Sequence, residues 1–96
     1  MKIKHTKLTA SGIATSDPCN LRGMLIGTDG ANDPTITVYD NTAASGDEVV
    51  PTATYDSSAL GLNGVTLPGD GARCENGIYV EITLAAGAVE VVIYYS

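Results

Sequence analysis

No tryptophan and no phenylalanine occur among the 96 residues, so bulky packing falls to Leu, Ile, Val and the five tyrosines Tyr39, Tyr55, Tyr79, Tyr94 and Tyr95. There is one histidine, His5, and the two cysteines, Cys19 and Cys74, have no CxxC spacing, which argues against a zinc site. No run approaches the roughly 18 apolar residues of a membrane span, and the N-terminus lacks the apolar stretch of a signal peptide. Helical periodicity is missing as well. The one window with several helix formers, Ser57 to Leu62, is cut by Gly61 and Gly64 and holds at most a single turn.

Basic residues are few and unevenly placed. The formal charge is −6, yet Lys2, Lys4 and Lys7 put three of the five cations in the first seven positions, leaving two arginines against eleven carboxylates beyond them. Such a body is repelled by nucleic-acid phosphates and by anionic membranes, so neither is expected as a partner. Residues 1–7 read as a basic arm or an exposed edge strand, where lysines discourage edge-to-edge pairing.

What the chain does have is the grammar of short strands and tight turns. From Thr35 to Tyr39, Ile36 and Val38 alternate with Thr37 and Tyr39 and run into the turn tetrad Asp40-Asn41-Thr42-Ala43. Strands are expected at Ile3–Thr9, Cys19–Gly27, Thr35–Asp40, Asp47–Tyr55, Gly64–Leu67, Ala72–Glu75, Gly77–Leu84 and Val89–Tyr95. About eight short strands at this spacing predict an all-β, single-domain antiparallel β-sandwich of jelly-roll-like kind.

Two hairpins are expected. One joins Leu21–Gly27 to Thr35–Asp40 through the loop "TDGANDP", and the other closes the chain through Ala85–Ala88. Asn76-Gly77 is a further hairpin-turn dipeptide, and Gly69, Gly71 and Gly77 suit positive φ. The two hairpins echo one another in pattern, which fits two equivalent hairpins facing across a core. Cys19 and Cys74 each precede a strand-like run and become neighbours if those strands pair; a disulfide would then need an oxidising setting.

A thin core, with only about two-thirds of the unfolded chain's surface buried at this size, favours covering one more face by association. Homo-oligomerisation or docking is therefore expected. Tyr94 and Tyr95 must point to opposite faces of one strand, which leaves at least one outside or in an interface.

The segments "LRGMLIGTDGANDPTITVYDNTAASGDEV", "LPGDGARCENGIYVEIT" and "VEVVIYYS" together resemble a group of small tailed-bacteriophage virion proteins, over roughly residues 19–96. The resemblance implies a compact β-sandwich on or in a phage particle, as a head decoration or capsid-stabilising protein, or a neck or tail accessory. It implies a place in the virion, and in the host cytoplasm during assembly. Phage capsid or other virion proteins are the implied partners. The contact residues to consider are Lys2, Lys4, Lys7, Tyr79, Tyr94 and Tyr95.

Catalytic readings find little. His5 has no neighbouring carboxylate in sequence to orient it toward a Ser or Cys nucleophile. Glu75 with Glu81, or Asp40 with Asp56, could form a hydrolytic carboxylate pair, but each is explained by strand alternation or by a turn. The "GDGARCENG" segment has no Lys and no following helix to cradle phosphate. No enzyme activity and no cofactor are expected. The remaining ligand reading is a loop of Asp29, Asn32 and Asp33, whose oxygens could converge on calcium or, with exposed tyrosines, on carbohydrate at a host surface.

Overall fold

The computed structural model describes residues 2–57 and 62–96. Among them there is no helix, and the chain forms nine strands: β1 (Lys4–Leu8), β2 (Gly12–Thr15), β3 (Cys19–Thr28), β4 (Thr35–Tyr39), β5 (Glu48–Thr54), β6 (Leu62–Thr66), β7 (Ala72–Cys74), β8 (Ile78–Thr83) and β9 (Val89–Tyr95). Eight of these fall where alternation and turn residues put them. The ninth, β2, is four residues of Gly, Ile, Ala and Thr, too short and too weakly apolar for a period of two to register. The single turn expected at Ser57 to Leu62 falls largely outside the described residues.

The strands make two antiparallel sheets. Sheet A runs β1-β9-β3-β6, with β7 also on β3; sheet B runs β2-β8-β4-β5. Strands β6 and β7 form one interrupted edge, β6 against Gly23–Gly27 and β7 against Cys19–Leu21. The sheets enclose one core, in which Leu21, Met24, Ile26, Val91 and Ile93 of sheet A meet Ile36, Val38, Ile78 and Val80 of sheet B. The sandwich is thus realised as expected.

The connections differ from expectation. Strand β3 lies in sheet A and β4 in sheet B, and β8 and β9 are divided in the same way, so both expected hairpins are crossovers from one sheet to the other. The turn at Asn76-Gly77 likewise leads from sheet A to sheet B. The cause is burial. A strand with one apolar face can cover it only against the opposite sheet, and a polar loop of six residues, Asp29–Pro34, is long enough to cross there. The echo between the two segments survives in another form, because β3 pairs with β9 while β4 pairs with β8. Two similar crossovers therefore lie side by side. The one hairpin between consecutive strands of the described chain is β4–β5, whose eight-residue loop is closed by Asp40 N–H donating to the Asp47 carbonyl at 2.9 Å and by Asn41 Nδ2 donating to the Ser45 carbonyl at 2.9 Å.

Gly69, Gly71 and Gly77 all have positive φ, at 60°, 88° and 99°. At Gly77 the requirement is double, since a Cβ there would lie 2.5 Å from the Thr15 carbonyl oxygen. An inter-sheet strap closes the opposite edge: Thr6 Oγ1 of β1 donates to the Ala14 carbonyl of β2 at 3.0 Å. With that hydrogen committed, the Tyr95 hydroxyl donates to Thr6 Oγ1 at 3.2 Å.

Candidate functional site

The outward faces of the two sheets are built from different residues. On sheet B the outward positions are Thr35, Thr37 and Tyr39 of β4, Thr52 and Thr54 of β5, and Tyr79, Glu81 and Thr83 of β8. They bond one another: Thr37 Oγ1 to Thr52 Oγ1 at 2.6 Å, Thr35 Oγ1 to Thr54 Oγ1 at 2.8 Å, and Tyr39 hydroxyl donating to Glu81 Oε1 at 3.3 Å. Desolvation, and then the Glu81 charge, push the Tyr39 phenol above its ordinary range. Tyr39 and Tyr79 are register partners, with Ile13 of β2 next in the row and 48% exposed. This face is mostly polar, with its threonines and Tyr39 bonded to their neighbours and Ile13 exposed at its edge.

Sheet A is the reverse. The outward positions of β3 are Gly23, Leu25 and Gly27, and those of β9 are Glu90, Val92 and Tyr94, with Gly64 of β6 directly opposite Leu25. Leu25 is 38% exposed and leans over Gly64, whose missing Cβ would meet Leu25 Cδ2 at 3.2 Å. Ile3, just before β1, is 51% exposed at the same surface. Glycine on a strand leaves no side chain to stand up, so the sheet is flat around one leucine. Two shallow grooves result. One of about 360 Å³ runs past Gly27, Thr28 and Val89, the other of about 300 Å³ past Ile3, Gly23 and Tyr94, and Leu25 forms a wall of both.

Of the residues expected at a contact surface, Tyr94 lies on this apolar face, its ring 6.3 Å from His5 and tilted at 46°. Tyr95 takes the other side of the strand, packed against the core and hydrogen-bonded to Thr6. Tyr79 lies on the sheet B face. Lys4 and Lys7 belong to β1, the edge strand of sheet A, and Lys7 reaches Glu90 at 3.3 Å, an exposed ion pair. Lys2 precedes the strand and is exposed. The basic segment is therefore largely strand.

The acidic loop is occupied with its own folding. Asp29 Oδ1 accepts the N–H groups of Ala31 and Asn32 at 2.9 and 3.0 Å, while Oδ2 accepts Asn32 Nδ2 at 3.0 Å and the Ala88 N–H at 3.2 Å. These donors, the Ala31 N–H foremost, hold the carboxyl far below the usual carboxylate range. Asp33 Oδ1 takes both the N–H and the hydroxyl of Ser57. Asp29, Asn32 and Asp33 thus tie segments together and do not converge on a common point. Among the described residues no group of three His, Cys, Asp or Glu side chains could hold a metal ion.

The catalytic pairings weighed from sequence are not assembled. His5 faces outward from sheet A, whereas Cys19 and Cys74 are buried on its inner side. Glu75 pairs with Arg73 at 2.9 Å near the end of β7, away from Glu81 in sheet B. Asp40 and Asp56 follow antiparallel neighbours and so lie at opposite ends of the β4–β5 pair. Asp40 Oδ1 is taken by the Asn76 N–H at 2.9 Å.

Sequence reading did not find Leu25, Gly23, Gly27 or Gly64. A signal was present. Met24, Leu25 and Ile26 are consecutive apolar residues, so one of them must face away from the core. Comparison of the chain with protein-family models, with curated proteins and with solved structures finds no match.

Proposed function

We propose that this chain is a non-enzymatic structural protein of a tailed-bacteriophage particle, a capsid decoration or stabilising component that self-associates through the outer face of sheet A. The observation that carries the reading is the apolar, glycine-flattened surface around Leu25. An outward sheet face in contact with water normally alternates to polar residues, as sheet B does apart from Ile13 of its edge strand, and an apolar one is a marker of association. The shape favours a second copy of the same chain. Leu25 is a single knob flanked by grooves, so a two-fold arrangement seats each leucine in the other's groove, which is the self-complementarity of an isologous contact. Of the charges that border the two grooves, Glu90 is paired with Lys7, the Asp29 carboxylate is held by four donors of its own loops, and Arg22 brings a positive charge to the second groove. The virion setting rests on the resemblance of residues 19–96 to small phage proteins. A neck or tail accessory would use the same face.

Light scattering on the wild-type chain and on Leu25→Asp tests the association. A discrete oligomer that Leu25→Asp converts to a folded monomer supports the reading; a wild-type monomer, or an oligomer indifferent to Leu25→Asp, overturns it. Co-migration of the chain with tailed particles in a density gradient tests the setting, and its absence from purified particles refutes that part.

A second reading is a carbohydrate-binding module at a host surface, favoured by the register pairing of Tyr39 and Tyr79 beside Glu81 and the threonines of sheet B. Tyrosine faces bordered by hydroxyls and a carboxylate suit sugar rings. Thermal stabilisation by glycans that Tyr79→Ala abolishes would select it, and no shift across neutral and acidic oligosaccharides would dismiss it.

A further inference from the structure

Cys19 and Cys74 are the first and last residues of β3 and β7, and they are direct partners in the antiparallel register. Side chains of direct partners project from the same side of a sheet, and here that side is the core: Cys19 is 4% exposed and Cys74 is fully buried. Asn20 exchanges both of its backbone hydrogen bonds with Ser96, N–H to carbonyl at 2.8 Å and the reverse at 3.0 Å. The backbone groups of Cys19 therefore turn the other way, toward β7, and the two cysteines occupy a hydrogen-bonded pair. The Cα separation of such a pair is about 5.5 Å, inside the range of about 4.4–6.8 Å over which a disulfide closes. Both side chains are free thiols, Cys74 Sγ resting 3.7 Å from the Ala72 carbonyl oxygen.

We propose that Cys19 and Cys74 are an oxidation site, forming a reversible cross-strand disulfide that clamps the short edge strand β7 to β3. The oxidant is a low-molecular-weight disulfide. The thiolate of one cysteine attacks a sulfur of that reagent and releases one small thiol. The second cysteine then attacks the protein-bound sulfur, forming the Cys19–Cys74 bond and releasing the other small thiol. The two protein thiols lose two electrons and two protons, and the reagent is reduced to two thiols.

The surroundings set when this happens. Burial, and then the neighbouring Cys19, push the Cys74 thiol up to about 11, and burial raises Cys19 as well. Since the thiolate is the nucleophile, the packed pair exchanges slowly at neutral pH, and reaction waits for β7 to lift. Strand β7 is suited to lifting: it is three residues long, sits at an edge, and is bounded by turns at Gly71 and Gly77. The same freedom lets it move inward by the roughly 1 Å or more that brings the Cβ atoms of a hydrogen-bonded pair, about 5.5 Å apart, to the roughly 3.5–4.5 Å of a disulfide. Once formed, the bond closes the long chain loop from β3 to β7 and holds the interrupted edge of sheet A.

The experiment incubates the full chain with oxidised glutathione or with dithiothreitol, alkylates under denaturing conditions, and measures intact mass and thermal unfolding, with Cys19→Ala as control. The expected result is a product lacking two hydrogen atoms and carrying no alkyl group, with Tm raised by about 10 °C. Dithiothreitol should reverse the rise, and Cys19→Ala should show neither change. The proposal is overturned if both cysteines remain alkylatable, if glutathione adducts accumulate on either one, or if bonds form only between chains.

Discussion

The Asp29 carboxylate accepts the backbone N–H of Ala88 at 3.2 Å and so joins two crossovers of the sandwich, β3–β4 and β8–β9, at one end. Backbone pairing of β3 with β9 and of β4 with β8 brings these loops together. A single side chain then satisfies four donors drawn from both.

Asp29→Asn should therefore change the pH dependence of stability. The folded carboxyl is held below its ordinary value of 3.8, so its contribution is complete above about pH 4 and is lost as pH falls toward the folded value. The amide offers one accepting oxygen where the carboxylate offers two, and sets an N–H₂ against donors. Denaturant unfolding between pH 2 and 7 should show the variant less stable at neutrality, with the gap narrowing on the acid side. A constant gap across the range would count against this account.

Gly87 touches the same junction. Its φ is +83°, and a Cβ there would run into Asp29 Oδ2. Gly87→Ala combines a disfavoured left-handed residue with displacement of the carboxylate, and should cost more than the roughly 1 kcal/mol typical of left-handed alanine alone. Pairing it with Asp29→Asn in a double-mutant cycle should give a non-additive sum, because the second change finds the junction already broken.

At the opposite edge, Tyr95→Phe removes the hydroxyl that donates to Thr6 and should lower stability by about 1 kcal/mol, with Thr6 still bonded to Ala14. Tyr95→Ala also removes a ring packed on the core and should cost about 3 kcal/mol. The wild-type, Phe and Ala series, read by thermal unfolding at fixed pH, separates the two parts. Equal Tm for wild type and Phe would mean that the strap does not stabilise.

The strands were legible because apolar residues such as Ile36 and Val38 alternate cleanly and turns such as Asp40-Asn41 carry their own chemistry. Pairing was not, because "TDGANDP" permits either a hairpin or a crossover. What decides between them is the need of the Met24–Ile26 face for a second sheet, which is a property of the whole chain. The Leu25 surface was hidden for a related reason. An apolar residue inside an apolar run looks like core until the sheet shows which side it takes, and outward glycines are silent in any hydrophobic pattern.

Leu25 and its neighbour Ile26 make the sharpest comparison, since one step along β3 turns the side chain from outside to inside. Ile26 has no exposed surface, so Ile26→Ala leaves a cavity and should cost about 2–5 kcal/mol of folding stability. Leu25→Ala removes a side chain that stands on the outer face, 38% exposed beside Gly64, and should cost under about 1 kcal/mol of monomer stability. If the outer face of sheet A is a contact surface, solution mass should respond in the opposite order, with Leu25→Ala weakening association at concentrations where Ile26→Ala remains folded and assembled. Measuring both quantities on both variants separates a residue that is exposed by chance from one that is exposed for a partner. Parallel losses of stability and association at both positions would mean that Leu25 belongs to the fold, and the contact surface would have to be sought on the Tyr39 and Tyr79 face instead.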